Sequence, residues 1–199
     1  MRNVAILIFD DVEVLDFAGP FEVFSVTREL AGESLFTVHT VGLTPGTVRA
    51  RNGLKLVPEH TLESLPPPDL LIIPGGFGTR ALLNQASVID WIRRKAPQVE
   101  IVASVCTGSL LLAKAGLLAG LTATTHYQSF DQLRALEPTA NVREDVRFTD
   151  DGHVLTAAGI SAGIDLSLHL VARLHGAETA QRTARYMEYH WINDGGARR

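Results

Sequence analysis

The sequence predicts a doubly wound α/β sandwich, a mostly parallel sheet with helices on both faces. Three observations carry this. Short continuous apolar runs, "VAILIF" at 4–9, "LLII" at 70–73 and "IVASV" at 101–105, have the length and branching of strands buried on both faces. Helical stretches separate them, and parallel strands need such crossovers. Two of the runs end in glycine turns, "PGG" at 74–76 and "CTG" at 106–108.

The elements follow in order. Val4 to Phe9 reads as a buried strand ended by Asp10 and Asp11. Pro20, with its φ already set for a first helical turn, predicts a helix over Phe21 to Leu30. Leu35 to Leu43 alternates and is β-branched, a second strand. Asn52-Gly53 within "VRARNGLKLV" predicts a hairpin. Asp69 to Gly76 is a central strand running into its turn, and Arg80 to Lys95 a single helix. Glu100 to Val105 is the next strand, followed by a nearly all-apolar helix closed by Gly116. A short strand precedes His126. Gly163 to His175 sets Ile164, Leu168, Val171 and Leu174 on one stripe, and Ala177 to His190 is a last, more polar helix.

Composition limits the function classes. The chain has 199 residues, 46% of them apolar, with no repeat and no linker-like segment, so one domain over 1–199 is expected. A formal charge of -4 without a basic block argues against nucleic acid as a partner. "RRK" at 93–95 and the terminal Arg198-Arg199 read as a solvated helix face and a tail. A single cysteine excludes an internal disulfide and any Cys-based metal site, and the histidines lack metal-ligand spacing, so no metal is expected. No apolar segment is long enough for a signal peptide or a bilayer span; a soluble, cytoplasmic protein without membrane contact is expected.

Cys106 is the focal residue. A lone cysteine in an apolar segment is by default packing. Here it sits at a strand-turn-helix corner with Ser104 and Gly108 on either side, the small neighbours that a nucleophile elbow requires. The corner also puts it at a helix N-terminus, where a thiolate is favoured. Asp16, in "VLDFAGPFEVF", is either a helix cap or a functional acid. Gly75 and Gly76 are either turn formers or backbone donors that approach a reacting centre. Phe77, which follows them, and His126 complete the candidates as substrate contacts.

The segments "VAILIFDDVEVLDFAGPFEVF", "DLLIIPGGFGTR", "SVCTGSLLLAKAGLLAGLTATTHY" and "GISAGIDLSLHLVA" together resemble the DJ-1/PfpI superfamily, most of all its isocyanide hydratase branch and the ligand domains of AraC-type regulators. The resemblance runs from Val4 to about Trp191. It implies a three-layer flavodoxin-like sandwich, a homodimer, Cys106 as nucleophile and Asp16 as the acid beside it. It also implies that the Gly76 and Thr107 backbone N–H groups face the reacting centre. Ser104 departs from the glycine that the hydratase pattern favours. The AraC-type regulators carry a DNA-binding module after this domain, whereas only eight residues follow Trp191, so DNA binding in that manner is not expected.

The expected reaction is hydration of an isocyanide to an N-substituted formamide through a covalent thioimidate, without metal or organic cofactor. Two rivals remain. One is a glyoxalase-like or amidase-like enzyme acting on carbonyl substrates with the same nucleophile. The other is a non-catalytic sensor of a small ligand or of Cys106 oxidation.

Overall fold

A computed structural model describes residues 1–30, 35–192 and 195–196; the terminal Arg198-Arg199 pair lies outside the described residues. In chain order the elements are β1 (Arg2–Ile8), α1 (Val14–Leu30), β2 (Phe36–Gly42), β3 (Val48–Arg49), β4 (Lys55–Leu56), β5 (His60–Thr61), β6 (Leu70–Ile73), α2 (Thr79–Leu82) and α3 (Ala86–Lys95). The second half adds β7 (Ile101–Val105), α4 (Gly108–Lys114), β8 (Thr122–Ala123), α5 (Phe130–Leu136), β9 (Asn141–Val142), β10 (Phe148–Asp150), β11 (Val154–Ala157), α6 (Ala162–His175) and α7 (Ala177–Tyr186).

Seven strands form one sheet in the order β10-β11-β7-β6-β1-β2-β5. All neighbours are parallel except β10, which runs antiparallel to β11 with Phe148 opposite Ala157. Strands β1, β6 and β7 are buried almost throughout, which is why their sequences are continuous apolar runs. Helices α1, α6 and α7 pack together on one side of the sheet, and α2 to α5 form a second group around α4. The result is the three-layer α/β sandwich that the strand pattern predicts. Phe9, Phe24 and Phe36 are fully buried in its core. Each such side chain contributes about 1.5–3 kcal/mol relative to exposure.

The chain winds outward from β1 in both directions, first to β2 and β5, then to β6, β7 and β11. The crevice of such a sheet opens beyond the carboxyl ends of the strands, at the switch between β1 and β6. The loops after β1, β6, β7 and β11 therefore converge there.

Three expectations need correction. The first helix begins at Val14, and Pro20 lies inside it rather than in its first turn. The lost hydrogen bond falls on the carbonyl four residues back, at Asp16. Helix α1 packs closely onto α6, which in turn packs onto β7. A Cβ on Gly19 would come within 2.9 Å of Ile164 Cγ1, and one on Gly163 within 3.1 Å of the Val105 methyls. The single helix expected over Arg80 to Lys95 is two, because Gln85 is extended at φ -99° and ψ 94°. Asn84 just before it favours a turn through its own side chain. The last helix ends at Tyr186, short of His190.

The hairpin forms: Val48 pairs with Leu56 and Arg49 with Lys55, and Asn52 turns the chain at φ 61°. The strand before His126 is β8, paired with β9. Helix α4 closes at Gly116 (φ 77°), with the Leu117 N–H donating to the Leu112 carbonyl at 3.0 Å. No helix among the described residues is long and apolar enough to cross a membrane.

Candidate active site

The corner between β7 and α4 is a strained turn. Cys106 holds φ 57°, in the left-handed region that a side chain rarely adopts. Hydrogen bonds on both sides hold it there. Its N–H donates to the carbonyls of Ala157 (3.1 Å) and Ala158 (2.9 Å), while its carbonyl accepts from the hydroxyls of Thr125 (2.9 Å) and Ser109 (3.0 Å). Gly108 is required by contact: a Cβ there would lie 2.0 Å from the Ile73 carbonyl oxygen. The elbow is thus wedged against β6, and the small residue beside the cysteine has the physical reason that the sequence suggests.

Asp16 is fully buried in the first turn of α1. Its Oδ2 accepts the Gly75 N–H at 2.9 Å, so the carboxyl faces the turn after β6 rather than capping its own helix. Gly75 lies between Asp16 and the elbow. A Cβ there would sit 2.5 Å from Thr107 N and 2.9 Å from Asp16 Oδ2. Any side chain would separate the acid from the turn that carries the thiol.

The Gly76 N–H differs from expectation. It donates to Thr107 Oγ1 at 3.0 Å and so is taken up inside the protein. Thr107 Oγ1 also receives the Thr79 hydroxyl at 3.1 Å, locking the turn after β6 to the elbow. The role of Gly76 is conformational: its φ is 126°, and a Cβ would lie 2.4 Å from the Asp11 carbonyl oxygen and from the Glu13 nitrogen. Of the two backbone donors expected, the Thr107 N–H is the one that acts on the Cys106 sulfur, favouring its ionised form.

Electrostatics also depart from the expectation of a thiolate. Burial, reinforced by the negative charge of Asp16, pushes the Cys106 thiol up to about 12, against the pull of the Thr107 N–H and hydroxyl. Burial likewise pushes Asp16 up to about 7, with Glu13 adding to the rise and the Gly75 N–H opposing it. The Cys106 thiol and the Ile160 N–H also favour the ionised carboxylate, although among the described residues no group reaches Asp16 Oδ1 in full hydrogen-bond geometry. The resting pair is a thiol beside a carboxyl group that titrates near neutrality. Cys106 is only 6% exposed, and this burial outweighs the hydrogen bonds from Thr107 that favour the thiolate.

A cleft of about 190 Å³ opens over this pair. Gly76, Phe77, Cys106, Thr107 and His126 line it, so five of the seven candidates meet at one opening, with Asp16 and Gly75 beneath. The His126 imidazole fits because Gly159 leaves room, a Cβ there falling 2.4 Å from its Cδ2. Sequence reasoning missed Glu13, Arg51, Arg80 and Ile160, which share the lining. Ile160 holds φ 54°, an outlier for a β-branched residue, at the corner between β11 and α6. Nothing local in the sequence marks it. Histidine spacing offers no metal pattern, yet the fold brings ligand atoms of His39 on β2, His60 on β5 and Glu59 just before β5 within 4.8 Å of one another, and none of the three lines the cleft.

Comparison with known proteins shows the family and the fold. Residues 2–173 match the model of the DJ-1/PfpI family. The isonitrile hydratase of Pseudomonas putida is 38% identical over 187 residues, covering 94% of this chain and 78% of that protein. The HTH-type transcriptional regulator GbdR of Pseudomonas aeruginosa is 28% identical over 97% of this chain, which spans only 52% of the regulator. Among solved structures, a ThiJ/PfpI family protein from Pseudomonas syringae superposes with a TM-score of 0.86 at 29% identity, covering 97% of this chain and 77% of its own. A buried acid set against a cysteine elbow, in a fold matched over nearly its whole length, leads to one conclusion: the chain belongs to the DJ-1/PfpI family.

Proposed function

We propose that the protein is a cysteine-dependent hydratase that adds water to an isocyanide, R–N≡C, to give an N-substituted formamide. The observation that supports this most is the proton pairing of Cys106 and Asp16, one on sulfur and one poised near 7, in a cleft sized for a small molecule. The 38% identity to isonitrile hydratase favours this chemistry over other uses of the same nucleophile, including glyoxalase-like or amidase-like reactions on carbonyl substrates.

The steps follow from where the protons reside. Ionised Asp16 takes the Cys106 proton as sulfur bonds to the isocyanide carbon, then delivers it to that carbon. The S–H bond is broken, C–S and C–H bonds form, and the adduct is the thioimidate R–N=CH–S. Asp16, ionised again, takes a proton from the attacking water and passes it to the nitrogen, giving the tetrahedral adduct R–NH–CH(OH)–S. As sulfur is expelled, the hydroxyl proton of that adduct returns through Asp16 to sulfur, and R–NH–CHO leaves. The Thr107 N–H stabilises the charge that develops on sulfur. The order differs from a thiolate attacking beside a protonated acid: the cycle begins from thiol and carboxylate.

The test is formamide formation from several isocyanides followed by NMR. Cys106→Ala is expected to abolish turnover, and Asp16→Asn to reduce it roughly hundredfold or more. Full activity in Cys106→Ala sinks the covalent scheme.

One observation favours a second reading, a non-catalytic ligand sensor. A thiol held at about 12 is a poor nucleophile until something takes its proton, and the regulators similar to this chain are named for control rather than turnover. A ligand-dependent rise in melting temperature with no product from any isocyanide is the outcome of that reading. A homodimer is part of the proposal. Leu15 and Phe21 on α1 each remain 37% exposed, apolar surface that a second copy would cover, and light scattering after size exclusion reads the mass directly.

A further inference from the structure

At the mouth of the cleft, Phe77 projects from the turn after β6 and is 52% exposed. Two guanidinium groups lie over its ring, Arg51 at 4.0 Å and Arg80 at 4.3 Å from the centroid. Stacking on an aromatic face orients a guanidinium through its plane and leaves the in-plane N–H groups at its edge available. The two arginines differ in what they have already engaged. Arg51 is 3.7 Å from Glu13, which absorbs its charge. Arg80 has no carboxylate within ion-pair distance among the described residues. Glu13, Arg51 and Arg80 together leave one uncompensated positive charge on the rim. Both arginines and Glu13 line the same opening as Cys106.

We infer that the cleft selects substrates carrying a carboxylate, with Arg80 as the specificity-determining residue that receives it while the reacting group reaches Cys106. This rests on the hydratase reading for the reacting group, an isocyano carboxylate, and deepens it by naming the substrate class. The edge of a guanidinium matches both oxygens of a carboxylate, and stacking on Phe77 fixes that edge before the ligand arrives. Arg51 has a supporting part. It neutralises Glu13, which would otherwise repel an incoming anion across the narrow mouth. A neutral isocyanide of the same size would forgo the charged contact and leave Arg80 unpaired.

The test uses a matched pair, isocyanoacetate and its methyl ester, which share the reacting group and differ in charge. Formamide production by the full chain is followed for both at low and high salt. The carboxylate is expected to have the higher kcat/KM, by roughly ten- to hundred-fold at low salt, with the preference narrowing as salt rises. Arg80→Ala is expected to remove most of that preference through KM, and Arg80→Lys to restore part of it. Equal rates for the two probes in the native protein, or equal losses for both in Arg80→Ala, would overturn the assignment. If neither probe is hydrated, the hydratase reading fails and the subsite is tested alone by calorimetric titration of both probes into Cys106→Ser. Tighter binding of the carboxylate, lost on adding Arg80→Ala, sustains the anion site; equal or absent binding of the two overturns it.

Discussion

At the scale of single residues, the site is an arrangement for sharing protons. Cys106 and Asp16 are both moved upward by burial, but from different starting points, so the carboxyl titrates near neutrality and the thiol far above it. Asp16 must be ionised to accept the thiol proton. The rate is therefore expected to climb as pH rises through about 7, with no loss from thiol ionisation below about 12. A kcat/KM profile that stays flat from pH 5 to 9 contradicts this. The same shift bears on stability. The folded value near 7 lies above the ordinary 3.8, so the native state keeps a proton that the unfolded chain has released between those values. The group's full contribution is present below 3.8 and is lost as pH rises through about 7. Asp16→Asn mimics the protonated acid and retains an acceptor for Gly75. It should exceed the native protein in stability at pH 8, by up to about 4 kcal/mol, and match it near pH 4. Urea unfolding at both values decides it.

At the scale of elements, β7 and the turn after it carry the most constrained packing. Ser104, in mid-strand, is fully buried with its hydroxyl unpartnered among the described residues, whereas most buried hydroxyls are hydrogen-bonded. Ser104→Ala removes that unpaired group without a large cavity and is expected to stabilise the fold by about 1 kcal/mol. A loss of stability on calorimetry would mean that the hydroxyl has a partner after all. Gly108 behaves in the opposite way. With the Ile73 carbonyl oxygen 2.0 Å from any Cβ, Gly108→Ala must push α4 away from β6. It should cost roughly 3 kcal/mol and reduce Cys106 activity along with it. The elbow was legible in the sequence because this crowding demands small residues at fixed offsets from the cysteine. The break between α2 and α3 was not, because the stretch from Arg80 to Lys95 keeps helical composition and only the extended backbone at Gln85 divides it.

At the scale of the whole molecule, a polar cluster joins the antiparallel edge of the sheet to α6 and the C-terminal segment. Arg147 Nε donates to Asp165 Oδ2 at 2.8 Å, its Nη2 reaches the Ser161 hydroxyl at 3.2 Å, and the Tyr189 hydroxyl donates to Asp165 Oδ1 at 3.0 Å. Burial and the Asp165 charge push the Tyr189 phenol up to about 12, so it remains a donor across the neutral range. Ser161 adjoins the strained Ile160 that lines the cleft, which ties the fold's edge to the site. Arg147→Ala is expected to lower stability by about 1–2 kcal/mol, partial exposure of the pair limiting the loss. It should also weaken turnover; an unchanged melting temperature argues against the cluster.

The sequence by itself determined what local chemistry can express. Continuous apolar runs meant buried parallel strands, and a cysteine between small residues meant an elbow. Asp16 and the glycines of "PGG" stood out as candidates with open alternatives, resemblance to a family assigned them roles, and their partners were not legible. Only the tertiary structure decided that the Gly75 N–H meets Asp16, that the Gly76 N–H is consumed by Thr107, and that burial raises the thiol. It also brought Arg51, Phe77, Arg80 and Ile160 to one opening from positions up to 109 apart. The physical reason is the winding of the sheet. Successive strands deliver their carboxyl-end loops to a single crevice, so contacts there join residues that no local pattern relates, and desolvation depends on all of them at once.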